Sequence, residues 1–254
     1  MQKIILLILG CILTFTACKK DTPLPTNLTI NFSQTVDGVD LTNIDHPTIN
    51  TMIYTNAAGE DYSIQTLKYL ISDITLHADD GNTLLLDEVH FIDISDASTF
   101  SFTYQDVANN NYTSISFDMG LDSSKNSSNF YVNEDFHSTM FWPESNGGGY
   151  HYMKLEGAYT NDSTFYNTHT GGTMGADYSF SFSTLGIPGS SLLNIDDEVG
   201  DVSININMEI NNWYQTPHEI AFSTYGMGIM MNMEKQMQLQ ANGSLDVFSV
   251  TASQ

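Results

Sequence analysis

From Leu28 onward the chain is cut into short apolar or alternating runs, each closed by a cluster of Asp, Asn, Gly or Ser. Runs this short leave little room for successive helical turns, but they suit strands, whose side chains change face at every residue. The clearest case is residues 67–77, rich in Leu, Ile, Tyr and Thr, followed by Ala78-Asp79-Asp80-Gly81-Asn82 and a second run at 83–94. This reads as an antiparallel hairpin with a Gly-containing loop. Residues 28–32, 114–117, 150–159, 178–185 and 202–210 are further strands, with loops at 109–111, 122–129 and 186–189. Late in the chain the period changes. Met227, Met230, Met231, Met237 and Ala241 recur at helical intervals and end at Asn242-Gly243, which reads as a helix with a C-terminal glycine signal. Thr216-Pro217-His218-Glu219 has capping-box spacing, with Pro at the first helical position, and marks a shorter helix. No internal repeat or long linker divides the chain. The expectation is one all-β dominated domain over residues 28–254, a β-sandwich of mainly antiparallel strands with one or two short helices near the C-terminus.

Charge narrows the partners. Thirty Asp and Glu stand against seven Lys and no Arg, for a formal net charge of −23. Seven scattered lysines cannot displace the counterions of a phosphate backbone, so nucleic acid is excluded. The two cysteines, Cys11 and Cys18, both precede the domain, which therefore has no disulfide, thiolate site or Cys nucleophile of its own. Lys3, the apolar run at 4–15 and Phe15-Thr16-Ala17-Cys18 have the build of a cleaved signal, since about 20 apolar residues are needed to span a bilayer as a helix. The Cys at the cleavage point resembles a bacterial lipobox. Residues 1–17 are then a lipoprotein signal peptide, Cys18 is the lipidated residue and residues 18–27 a tether. The expected location is the cell envelope, at the outer membrane, facing the periplasm or the surface, with membrane contact through the lipid on Cys18.

Chemistry-bearing residues concentrate in one stretch. His137, His151 and His169 fall close together with Trp142, Met140 and Met153 in a chain that has only seven histidines. Neutral imidazoles bind borderline first-row ions without thiolate, and thioether sulfur adds a preference for Cu(I). Gly147-Gly148-Gly149 permits a tight turn into the strand after it, where alternation puts His151, Met153 and Leu155 on one face and Tyr150, Tyr152, Lys154 and Glu156 on the other. Each histidine also has a plainer role as a hydrogen-bonded packing residue. His77 beside Asp79 and Asp80, and His46 before Pro47, read as solvated turn residues; His90 faces either the same site or the core. The late methionines line a soft-metal path or, as is more usual at helical spacing, fill the core.

Taken in order, several motifs resemble the MbnP-like family of lipoproteins and periplasmic proteins. They are the 67–76 strand, Met140-Phe141-Trp142-Pro143, the block Gly149-Tyr150-His151-Tyr152-Met153-Lys154-Leu155-Glu156-Gly157, His169-Thr170-Gly171-Gly172, and the closing Asn242-Gly243 with Asp246-Val247-Phe248. The resemblance implies a β-rich domain with a mononuclear copper site of histidines and an oxidised tryptophan, converted to kynurenine by a di-haem MauG-like oxidase partner. By position it marks Trp142 for oxidation and His169 as a ligand, with His137 and His151 as the other imidazoles nearby. The chain departs from the pattern at Thr170, where the family motif has Leu, at Pro143 directly after Trp142, and at His151.

Three functions follow. The first is a non-enzymatic lipoprotein binding or storing copper through His137, His151 and His169 near Trp142. The second is a metal-free surface module that recognises a glycan or protein partner through aromatic faces such as those of Trp142 and Trp213. A hydrolase is the third, although neither G-x-S-x-G nor HExxH occurs.

Overall fold

The computed structural model describes residues 26–41, 51–184, 192–196 and 198–253. The signal peptide, Cys18, most of the tether, His46 and the 186–189 loop lie outside the described residues. In chain order the strands are β1 (Thr26–Val36), β2 (Val39–Asp40), β3 (Tyr54–Thr55), β4 (Asp61–Tyr62), β5 (Thr66–Ala78), β6 (Thr83–Asp93) and β7 (Ser101–Val107). They continue with β8 (Asn110–Met119), β9 (His151–Tyr159), β10 (Asn161–Gly171), β11 (Phe180–Ser183), β12 (Leu193–Ile195), β13 (Val202–Glu209) and β14 (Phe248–Ser253). The result is the expected sandwich of two mainly antiparallel sheets.

The smaller sheet runs β14-β13-β1, with β7 and β2 on the other edge of β1. Among the described strands only β1 and β13 pair in parallel, from Leu28 opposite Val202 to Thr35 opposite Glu209. Alternation explains both faces of this pair. Leu28, Ile30, Phe32, Ile204 and Ile206 point inward and are buried, while outward partners bond across the strands, Asn31 to Asn205 at 3.0 Å and Ser33 to Asn207 at 2.9 Å. In the larger sheet β5 is central, flanked by β6 on one side and by β8 and then β9 along the other. Its sequence hairpin with β6 is observed, with an irregularity at Asp73, whose φ of 55° rephases the strand so that Ile74 and Leu76 continue the core face begun by Leu67, Tyr69 and Ile71. Gln34 crosses the buried layer and donates through Nε2 to the Tyr69 hydroxyl at 2.8 Å, linking the sheets.

The larger sheet is covered on its far side as well. Leu70, Leu121, Phe136, Met140, Tyr150, Tyr152 and Tyr178 form a second apolar cluster beneath the segment between β8 and β9. That segment carries α1 (His137–Met140), and α2 (Phe222–Tyr225) and α3 (Met233–Asp246) follow later.

The late helix differs from its sequence reading. It begins at Met233, where the Asn232 side chain caps it by accepting from the Lys235 amide at 3.1 Å, and runs through Asn242-Gly243 to Asp246. Gly243 is not a terminator. A Cβ there would come within 2.6 Å of the Phe180 and Trp213 rings, so glycine is what lets the helix lie against β11 and the turn that holds Trp213. The expected helix at 216–219 is absent; that stretch is held by Asn242, whose side chain donates to the Trp213 and His218 carbonyls and accepts from the His218 amide. Nor are the late methionines core filling, since Met227, Met231, Met233 and Met237 are all exposed. Among the described residues no helix is long and apolar enough to cross a membrane.

Candidate metal centre

The site is built at the start of β9 and the end of β10. Gly147, Gly148 and Gly149 all have positive φ, a conformation that glycine alone adopts without strain, and they bring the chain sharply into β9. The turn is pinned when Tyr150 donates its amide to Asn126 Oδ1 at 2.8 Å, Gly149 donates to Ser128 Oγ at 2.8 Å, and the Trp142 amide donates to the Gly149 carbonyl at 2.9 Å. Trp142 is thereby laid along the sheet, fully buried, with its indole Nε1 donating to the Asn146 carbonyl at 3.2 Å. It rests on Gly171, where a Cβ would fall 2.6 Å from the indole Cε3.

A β-bulge then decides which way His151 points. Thr170 pairs with Met153, but the next residue, Gly171, pairs with His151, leaving Tyr152 as the extra residue. The alternation expected from sequence, with His151 beside Met153 and Leu155, is therefore broken. His151 turns to the side of Lys154, whose cross-strand partner is His169. The two imidazoles meet edge to face with centroids 4.9 Å apart, and the Trp142 ring lies 4.7 Å from His151 on its other side.

Hydrogen bonding fixes the tautomers of both rings. The Met140 carbonyl lies 3.1 Å from His151 Nδ1, and a carbonyl only accepts, so Nδ1 carries the proton and Nε2 the lone pair. His169 Nε2 lies 2.7 Å from Glu156 Oε1. The hydrogen bond to His169 holds the Glu156 carboxyl below the usual carboxylate range, so it accepts from Nε2, and in the neutral ring the lone pair of His169 is on Nδ1. His151 Nε2 and His169 Nδ1 are both buried without any hydrogen-bond partner. Burial first, and the neighbouring His169 second, push His151 down to about 3, so that it stays neutral. Two partnerless imidazole nitrogens on adjoining rings, 5% and 8% exposed, are the atoms here with the chemistry to bind a metal ion.

His137 is not brought to this pair. It sits on α1 and its Nδ1 is engaged by the Tyr150 hydroxyl at 2.9 Å, on the side of the second apolar cluster. Of the three histidines expected at the site, the structure brings His151 and His169 together and leaves His137 with Tyr150. Nor do His77 and His90 join it. His90 stacks on Phe32 at 4.8 Å and is bonded to Asp87 and the Thr99 carbonyl, while His77 Nε2 meets Ser116 Oγ at 2.7 Å.

Two participants escaped sequence reasoning. Strand alternation alone puts Glu156 on the face opposite His151, and only the pairing of β10 with β9 sets it diagonally across from His169. Gln236 of α3, 1% exposed, donates to the His169 carbonyl at 2.7 Å and accepts from the Gly171 amide, tying the helix to the strand beneath the site. Strand β10 is not legible in the sequence because its opening residues, Asn161-Asp162-Ser163-Thr164, are polar, the first three of them exposed. A separate trio, Asp73, Asp118 and Asp122, offers oxygen atoms within 4.8 Å of one another, but Lys125 already pairs with Asp73, and Ser181 and Ser124 donate to the other two.

Trp142 and Trp213 are 0% and 1% exposed, so neither presents a ring to a glycan or protein at the surface. No match was found among curated proteins. Among solved structures, MbnP from Methylosinus trichosporium shares the fold, with a TM-score of 0.52 at 10% identity, over 91% of this chain and 100% of that one. The MbnP family model matches residues 25–232, a span that contains the whole larger sheet, Trp142 and both paired histidines, and the chain belongs to the MbnP family.

Proposed function

We propose that this protein is a non-enzymatic copper-binding lipoprotein of the cell envelope, anchored through Cys18, in which His151 Nε2 and His169 Nδ1 hold the ion beside Trp142. The observation that carries this reading is the pair of buried lone pairs, since leaving such atoms unpaired costs about 1–3 kcal/mol each unless something binds them. The donor set favours copper over zinc. Structural zinc takes four protein ligands and catalytic zinc three. Among the described residues no group of three His, Cys, Asp or Glu donors includes this pair. Neutral nitrogen ligands in low number suit Cu(I), and the burial of the rings limits access of water. Glu156 orients His169, as a carboxylate behind a metal-bound imidazole does. Trp142 packs against His151, and by the family resemblance it is the residue on which a di-haem MauG-like oxidase partner would act.

Isothermal titration of the purified mature protein with Cu(I) tests the proposal. Tight binding of a single ion, lost in His151→Gln and in His169→Gln but retained in His137→Gln, is expected; absence of tight binding in the unaltered protein overturns it. Peptide mass spectrometry at residue 142 of protein from its native host tests the oxidation separately.

A further inference from the structure

Four of the five exposed methionines lie on adjoining elements. Met174 is 60% exposed, Met231 64%, Met233 50% and Met237 56%. Met233 and Met237 stand one turn apart on α3 and share its outer face. Met231 ends the short 3₁₀ turn that leads into α3, and Met174 lies in the 3₁₀ turn that packs on it, where Thr173 Oγ1 donates to the Met230 carbonyl at 2.9 Å. Met174 also holds a left-handed φ of 53°, a conformation that a glycine or asparagine would adopt more cheaply, so its side chain is not there as backbone convenience. The group is fastened to the strand of the imidazole pair. Gln236, between Met233 and Met237, bonds the His169 carbonyl, and Met174 follows Gly171 by three residues.

Exposed apolar side chains in such number gain nothing from burial. What these four share is a soft, uncharged sulfur on an unbranched chain with three rotatable bonds, able to gather around an ion. Thioethers select monovalent soft cations and leave Mg²⁺, Ca²⁺ and Zn²⁺ in water. We propose that Met174, Met231, Met233 and Met237 form a second, surface site for Cu(I), a capture site from which the buried imidazole pair is loaded. The inference rests on the reading of His151 and His169 as copper ligands. The passage of Cu(I) between the sites exchanges thioether for imidazole ligands and involves no change of oxidation state.

The test uses the mature protein titrated with Cu(I), supplied anaerobically as its acetonitrile complex, and with Ag(I) as a redox-inert soft probe. The quadruple variant M174L/M231L/M233L/M237L keeps side-chain volume on an exposed face and removes only sulfur. Unaltered protein is expected to take up a second, weaker equivalent of either ion. The quadruple variant should lose that equivalent, retain the tight one and load it more slowly, and H169Q should lose the tight equivalent and keep the weaker. An unchanged stoichiometry and loading rate in the quadruple variant overturns the capture site and leaves the copper reading standing, and would fit a methionine face for docking another protein. Loss of the tight equivalent's binding in unaltered protein overturns both.

Discussion

At the scale of single residues, the site depends on which nitrogen of each imidazole is free, and hydrogen bonding to the other nitrogen decides that. Glu156 does this for His169. Replacing it by Gln keeps an acceptor but removes the charge, and metal affinity should fall by about tenfold or more in a competition titration, with the thermal unfolding of the metal-free protein little changed. His151 carries a pH signature. Its folded value of about 3 lies below the ordinary 6.5, so between these values the unfolded chain binds a proton that the folded chain refuses. Stability of the metal-free protein should therefore be complete above pH 6.5 and decline as the pH falls toward 3, by up to about 5 kcal/mol from this group. Urea unfolding of unaltered protein and His151→Gln at several pH values checks this: the difference between the two should narrow or reverse on acidification, and a constant difference would contradict it.

At the scale of elements, a bulge, a glycine and a helix share the work of placing the pair. Gly243 illustrates how the sign of a substitution is settled by geometry. Helix propensity alone favours Ala over Gly by about 1 kcal/mol. Yet the added Cβ would press on the rings of the buried Trp213 and of Phe180, which packs against the core, and Gly243→Ala should lower stability by about 1–3 kcal/mol in denaturant unfolding, with altered Trp213 fluorescence. Gln236 couples α3 to the site through the His169 and Ile229 carbonyls. Gln236→Leu leaves these buried acceptors without their donor, so a loss of about 1–3 kcal/mol is expected, together with faster amide exchange in the 169–173 segment.

At the scale of the whole molecule, the net charge of −23 surrounds a proposed metal site whose donors are imidazoles. The field attracts cations to the surface without adding to the coordination of the ion, so it belongs to the rate of capture and not to the strength of holding. Stopped-flow association of Cu(I) should slow as salt is raised from about 10 mM to about 0.5 M, while the dissociation rate stays nearly constant, because exposed charges are screened over about 10 Å at 0.1 M and shorter lengths above that. A dissociation rate that changes as steeply as the association rate would place the charge effect at the ligands instead.

The periodicity of the chain by itself determined a sandwich of short strands, because alternation over a few residues between turn signals has few other solutions, and the hairpin of β5 and β6 lies where its loop residues put it. Trp142, His151 and His169 were also legible as chemistry-bearing residues, and so was the family to which their order belongs. What sequence could not supply was register. Nothing local to β9 announces the bulge at Tyr152, which comes from its pairing with β10 and turns His151 from the Met153 face to the His169 side. The same long-range pairing set Glu156 behind His169 and left His137 with Tyr150. Periodicity marks a helix but not which of its faces finds a partner, and so the methionines at helical spacing, expected in the core, stand on the surface because α3 buries Gln236, Leu239, Asn242 and Gly243 instead.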